Sequence, residues 1–500
     1  MRDVLLSVHG AVWGLTMLAL ILGVGLWITV KTGFAQLRLF PQALAAFWKK
    51  MCSRNSGTGI SSFRALCTAL GATVGTGNIV GVAGAICLGG PGTVFWMWVC
   101  GILAMGTKFA EAVLAVRFRI QEGTDYLGGP MYMIKGGLGR RWYGLAVVYS
   151  VFGLVASFGV GNAVQINAVV SSINSVLSLQ GESETLRQNL AFGLLLSVAV
   201  GSVLLGGASR IGSAAELLVP AVSMCYIMLC LGVLLVRRAF LWEAFCSILQ
   251  GAFSPEAVTG GAVASAFQAL RIGCCRGVFT NEAGMGTASM AHAAADISHP
   301  VDQGLMGIME VFLDTMVLCT LTALVILTSG VPVPYGTDRG GMLTAEAFSL
   351  VCGDWAAAAL AVGLCLFAFA TVLGWGFYGT RCARFLFGKE AWLPFAAAQT
   401  VVVVLGAVLK TETVWLLSEL FNGLMAIPNL FVLAVLTPEL GRLTKEYTKK
   451  SGGTAAEGGN YADFHQCQPL RAFPYEKVPS LRGGGGSAGK KDLPSEYRSA

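Results

Sequence analysis

Apolar residues in this chain come in long runs. Windows of about 20 such residues, the length that crosses a hydrocarbon layer as a helix, lie near 12–30, 65–88, 91–117, 142–175, 189–206, 212–236, 260–294, 304–329, 354–386, 391–409 and 413–437. These eleven segments predict an all-α integral membrane protein. Two of them are interrupted by polar and small residues. The second carries Gly75-Thr76-Gly77-Asn78 at its centre, and the seventh carries Phe279-Thr280-Asn281-Glu282-Ala283-Gly284-Met285-Gly286. Non-helical backbone at bilayer depth is tolerated only where it is buried in protein or lines a cavity. The two interruptions stand five spans apart, as expected of an inverted repeat with a binding site at the repeat interface. On that reading 12–30 is an accessory helix, 65–236 the first core repeat and 260–437 the second, within a membrane domain over 1–440. From 441 to 500 the chain turns rich in Gly, Ser, Ala and Lys without apolar periodicity, and a disordered cytoplasmic tail is expected.

Composition supports the membrane assignment and sets the orientation. The chain is 55% hydrophobic and 12% charged with mean hydropathy +0.68, against about 25% charge in soluble domains. The net charge of +7 resides in short loops and the tail, with no basic patch of interleaved aromatics, so it speaks for topology and not for nucleic acid. An N-terminus outside and a C-terminus in the cytoplasm place Lys49, Lys50, Arg117, Arg119, Arg140, Arg141, Arg381, Arg384 and Lys389 on the inner side of a cell (inner) membrane. Arg237-Arg238 runs against this bias. The fourteen cysteines show no C-x-x-C and no metal-type spacing, and read as packing residues in a reduced chain. The first apolar run is too long for a signal-peptide core and lacks a small-residue cleavage site after it, so a retained helix is expected.

The candidate chemistry gathers at the interruptions. Gly75 and Gly77 relieve backbone restrictions and free amides to face a carboxylate, aided by the positive end of a half-helix. The Asn78 oxygen can join carbonyls such as that of Thr73 around a hard cation. The competing reading of residues 77–81 is a small-xxx-small packing face. Thr280 offers a hydroxyl and a carbonyl to an ion, and Gly284 and Gly286 allow close approach of a small solute. Glu282 is an intramembrane acid with Arg276 or Arg271 as candidate partners, either proton-linked or holding the unwound backbone by accepting amide hydrogen bonds. Thr371, Trp375 and Tyr378 recur at i, i+4 and i+7, with Thr371 placed to bind an ion or substrate and Trp375 to wall a cavity. Gln165, one turn from Asn162, can bond a solute without the cost of a buried charge, or serve as interhelical glue. Lys108 and Glu111 are spaced for an i, i+3 pair, whereas Glu216, Glu310 and Asp314 show no local partner. No nucleophile–base pair or metal constellation marks an enzyme.

At these positions the sequence resembles the alanine-or-glycine:cation symporters. The matching segments are 71–83 (GATVGTGNIVGVA), 89–108 (GGPGTVFWMWVCGILAMGTK), 128–137 (GGPMYMIKGG), 276–295 (RGVFTNEAGMGTASMAHAAA) and 373–378 (LGWGFY), within a likeness over about 10–440. The resemblance implies a LeuT-like 5+5 fold with one extra N-terminal helix, and uptake of alanine or glycine driven by sodium or sometimes protons; the preference among alanine, glycine and D-alanine stays open. It implies sodium as the coupling ion with no other metal or cofactor, and no protein partner. Thr73, Asn78 and Thr280 match one sodium site. Gly71 and Val74 match the helix carbonyls of another, with Thr371 as partner. Gly75, Thr76, Gly77, Gln165, Gly284, Thr371 and Trp375 are the expected substrate contacts. Cys274-Cys275 and Thr280 depart from the usual family residues. The alternatives are a proton-coupled carrier of another small neutral amino acid, with Glu282 as the coupling group, and a solute sensor or channel.

Overall fold

The computed structural model describes residues 12–52, 60–123, 125–179, 185–261, 265–337, 340–409 and 411–454, together with Gly10. Each of the eleven expected spans falls on a helix or on a pair of helices. Among the described residues, eight helices are long and apolar enough to cross a membrane, and a bent pair makes nine. That pair is Ser62–Thr73 and Gly77–Gly89, bent by 52°. The second interruption separates Ala266–Asn281 from Thr287–Ala293, each too short to span alone. The accessory helix is Leu15–Lys31, packed on Thr93–Arg117 and on the last helix.

Several elements lie outside the eleven apolar segments. Phe40–Cys52 is an amphipathic helix packed on Pro300–Val311. Leu241–Phe253 and Gly340–Cys352 follow the sixth and eighth spans. A two-stranded antiparallel hairpin, Ile120–Glu122 with Asp125–Leu127, follows Thr93–Arg117. Arg384, at the end of Asp354–Phe387, binds this hairpin through Glu122 at 2.6 Å and Asp125 at 3.1 Å. Beside it, the Arg119 guanidinium donates to the carbonyls of Ala293, Ala295 and Ile297 and lies over the Tyr126 ring. Burial pulls its pKa below the ordinary arginine value while Tyr126 and Asp296 support the charge. A cation on carbonyls at a helix C-terminus satisfies acceptors the helix cannot. Arg119 thereby anchors the end of the second broken helix.

The last helix runs from Thr411 to Thr454, so the boundary expected near Leu440 falls inside it. The composition shift there does not stop the helix, because Leu440, Leu443 and Thr444 are still buried against the bundle. The remainder of the expected tail, 455–500, lies outside the described residues. All thirteen described cysteines are free; seven are buried, while Cys52, Cys225 and Cys246 are exposed and do not pack as expected.

Two close approaches govern the geometry at the centre. A Cβ on Gly374 would come within 2.8–3.0 Å of Ala72, so its absence lets the Asp354–Phe387 helix lie directly on the first broken helix. A Cβ on Gly161 would meet Trp375 at 2.3 Å, so glycine there leaves the indole its place. Interiors are packed too densely for either contact to be relieved by compression.

Candidate functional site

The first break begins where Val74 leaves helical geometry, at φ −74° and ψ 113°. Gly75 donates its amide to Asn78 Oδ1 at 3.0 Å, so a side chain from the short second half of the helix serves a backbone donor of the break. Asn78 is itself oriented by Asp314, whose Oδ1 accepts from its amide nitrogen at 2.7 Å. The other Asp314 oxygen accepts from Thr315 at 2.9 Å. Asp314, without a visible partner in its own stretch of sequence, is therefore the group that aims Asn78.

The second break opens at Glu282, a non-glycine residue in left-handed geometry (φ 51°). Such a conformation persists only when its surroundings over-determine it. The Glu282 carboxylate accepts from Trp375 Nε1 at 3.1 Å and from Thr287 at 2.7 Å. The expected partners are corrected: among the described residues neither Arg276 nor Arg271 makes a hydrogen bond or ion pair with Glu282. The unwound backbone is held instead by Glu111. Its Oε1 accepts the amides of Gly284 at 2.9 Å and Gly286 at 3.0 Å, and the side chain of Asn429 at 2.8 Å. Burial forbids a donor without an acceptor, and Glu111 is the acceptor that faces these two.

Glu111 is accordingly not the partner of Lys108. Lys108, fully buried, donates to Glu310 at 2.9 Å. The other Glu310 oxygen meets His292 Nε2 at 2.7 Å, and His292 Nδ1 meets Gln303 at 2.8 Å. Ser62 donates to Gln303 at 2.7 Å and accepts from Lys50 at 2.9 Å. Glu216 also has a partner, Arg64, at 2.8 Å. A buried charge must be paired, and sequence neighbours three apart lose to residues that face the charge across a helix interface.

A small cavity lies between the breaks. It is lined by Ala72, Thr73, Gly75, Thr76, Gly77, Val160, Gln165, Phe279, Glu282, Thr371, Trp375 and Asn422. Thr76 donates to Gln165 Oε1 at 3.3 Å, and the Gln165 amide nitrogen donates to Val160 O at 3.2 Å. A Cβ on Gly75 would sit 3.0 Å from Thr371 Oγ1 and 4.0 Å from Gln165 Oε1, which brings three separate spans to one point. Gly77 packs on Thr280 in the same sense, at 3.3 Å, and Gly71 lies against Ala370, the neighbour of Thr371. The expected oxygen-bearing residues Gly71, Thr73, Val74, Asn78, Thr280 and Thr371 thus surround the first break. Gly284 does not line the cavity: its amide and carbonyl are taken by Glu111 and Asn429. Asn162 serves as glue, its amide nitrogen donating to the side-chain and backbone oxygens of Gln399. Phe279, Val160 and Asn422 were not legible as lining residues. Val160 is an ordinary apolar residue of its span, Phe279 opens the second interruption without a polar group to mark it, and Asn422 shares its span with Asn429, with nothing in the sequence to say which of the two meets a cavity.

The arrangement offers backbone amides at a helix break, neutral hydrogen-bonding side chains, a carboxylate and an indole wall around a space for a small polar solute. Comparison with known proteins agrees in fold and in family. The structure is similar to the crystal structure of MhsT in complex with L-phenylalanine, with a TM-score of 0.53 over 78% of this chain and 99% of that one, at 14% identity. That likeness shows a LeuT-like fold. The sodium/alanine symporter AgcS of Methanococcus maripaludis is 39% identical over 448 residues, 89% of this chain and 96% of AgcS. The probable sodium/glutamine symporter GlnT of Bacillus subtilis is 36% identical over 444 residues, 88% of this chain and 90% of GlnT. The family model for sodium:alanine symporters matches residues 1–458. With its two broken helices meeting at one polar cavity, this multi-pass membrane chain belongs to the sodium:alanine symporter family.

Proposed function

We propose that the protein takes up alanine or glycine by sodium symport, with alternating access around the cavity between the two breaks. The observation that carries this reading is the meeting of Gly75–Gly77, Gln165, Thr371 and Trp375 at one small cavity. The substrate carboxylate faces the amides of the first break, where the half-helix dipole favours negative charge. Trp375, seated over Gly161, closes the far wall, and the small side chain of alanine or glycine suits so tight a space. Sodium, as co-transported cargo, is held by oxygens of Thr73, Asn78 and Thr280, with a second position among Gly71, Val74 and Thr371. The Asp314 carboxylate behind Asn78 adds the negative charge a cation favours. The name of AgcS supports the pairing of alanine with sodium. Placing the N-terminus outside and the C-terminus in the cytoplasm follows the charge bias of the loops.

Two other outcomes have support of their own. The name of GlnT makes glutamine a competing substrate, and the Glu282 carboxylate at the cavity makes proton coupling a competing drive. Uptake of labelled alanine, glycine and glutamine into proteoliposomes, under a sodium gradient, a proton gradient or neither, separates them. Accumulation of alanine or glycine only with inward sodium is the expected result. Asn78→Ala and Gln165→Ala are expected to reduce that uptake more than about tenfold, the scale of one lost hydrogen bond or ion contact, while reaching the membrane in normal amounts. Normal uptake by both variants would sink the site assignment.

A further inference from the structure

The last helix, Thr411–Thr454, presents two asparagines two turns apart, Asn422 and Asn429. That spacing places them on one face. Asn429 clasps the second break, donating to Glu111 Oε1 and to the Gly284 carbonyl. Asn422 reaches the cavity itself. It is 1% exposed, and its Oδ1 has no hydrogen-bond partner among the described residues. No other residue lining the cavity carries a buried side-chain oxygen or nitrogen left in this state.

The remaining polar side chains of the wall are occupied. The Gln165 oxygen takes the Thr76 hydroxyl, the Thr371 hydroxyl donates to Phe367 O, and the Trp375 indole donates to Glu282. A buried acceptor without a donor is costly, and in a native protein it calls for a ligand, a water or an ion to serve it. The proposed sodium positions lie at other residues, so the transported species that serves Asn422 is the one that brings an N–H or O–H. A substrate carboxylate brings none, whereas an ammonium group brings three donors.

We propose that Asn422 is a substrate-contacting residue whose Oδ1 accepts a hydrogen bond from the ammonium group of the transported amino acid. This rests on the reading of the cavity as an amino-acid site. The two ends of the substrate then meet opposite walls: the carboxylate the amides of the first break, the ammonium the last helix. Zwitterion recognition at both ends favours α-amino acids over small carboxylates that lack the amine.

The test is sodium-driven uptake of labelled alanine and glycine by wild type, Asn422→Leu and Asn422→Asp, normalised to protein in the membrane. Asn422→Leu is expected to raise KM by about ten- to a hundredfold, the worth of a hydrogen bond to a charged group, with the sodium activation constant unmoved. Asn422→Asp keeps an acceptor and is expected to restore KM to within about threefold of wild type. Melting of the detergent-solubilised protein in sodium, with and without alanine, reads the same contact without transport. The alanine-induced shift is expected to shrink in Asn422→Leu, and the melting temperature without alanine to match wild type. Should Asn422→Leu melt early without alanine, Asn422→Asp decides: a wild-type KM supports the contact, a raised KM overturns it. The contact is also overturned if Asn422→Leu keeps the wild-type KM, if Asn422→Asp is as impaired as Asn422→Leu, or if the variants move the sodium constant and not KM. A wild type that accumulates neither amino acid strikes the substrate reading. An active wild type with an unaffected Asn422→Leu strikes this contact alone.

Discussion

At the scale of single residues, the site depends as much on side chains that are missing as on those that are present. Gly75 lets Thr371 approach the first break, and Gly161 gives Trp375 its place. A methyl group at position 161 would lie 2.3 Å from the Trp375 Cβ, a contact that forces the indole to move. Trp375 is tied to Glu282 by its Nε1, so the displacement passes to the second break. Gly161→Ala is therefore expected to raise the KM for alanine by about tenfold or more, with overpacking worth about 1–3 kcal/mol. Steady-state uptake kinetics check it, and an unchanged KM would mean that Trp375 does not wall the substrate space. The polar residues show the same reciprocity. Asn78 accepts the Gly75 amide because Asp314 holds its amide nitrogen, and neither role is visible at position 78 alone.

At the scale of elements, the two broken helices are bound into a unit with the spans that flank them. Lys108 on Thr93–Arg117, Glu310 and Gln303 on Pro300–Val311, His292 on Thr287–Ala293 and Ser62 on Ser62–Thr73 form one chain of buried hydrogen bonds. The chain joins halves of both broken helices to two unbroken neighbours. Removing one member of a buried ion pair leaves an uncompensated charge and costs about 3–5 kcal/mol, whereas removing both charges costs far less. Lys108→Met is thus expected to destabilise the detergent-solubilised protein by about that amount. Lys108→Met combined with Glu310→Gln is expected to recover most of the loss. Thermal unfolding of the two singles and the double forms a cycle that isolates the coupling. A loss in the double variant equal to the sum of the two single losses would show that the pair contributes no coupling.

At the scale of the whole molecule, the proposed orientation puts the loop hairpin and its Arg384 clamp on the cytoplasmic side, with Leu241–Phe253 on the outer side. Lys389 and Arg238 are both exposed and stand at opposite ends of the bundle in this arrangement. In single-cysteine chains, Arg238→Cys is expected to react with an impermeant maleimide on intact cells. Lys389→Cys is expected to react only after permeabilisation. The reverse pattern would invert the assignment and show that Arg237-Arg238, not the majority of loop charges, reports the orientation.

Much of this architecture is written in the chain as a one-dimensional pattern. Apolar run length is set by bilayer thickness, and polar interruptions are tolerated only in protein or cavity surroundings, so the spans, the two breaks and the residues at the first break are legible in order along the sequence. The motifs around those breaks are dense enough to carry the family. Tertiary structure alone decided which buried polar groups meet. Lys108 passes over Glu111, three residues away, for Glu310, and Glu111 turns to amides at Gly284 and Gly286. Glu282 takes Trp375 and Thr287 in place of an arginine on its own helix. Asn422 becomes a cavity residue only because the last helix passes there. Local spacing fixes which face of a helix a residue occupies, but a buried charge or amide is satisfied by whatever faces it from another helix. That choice belongs to packing, which no window of sequence contains.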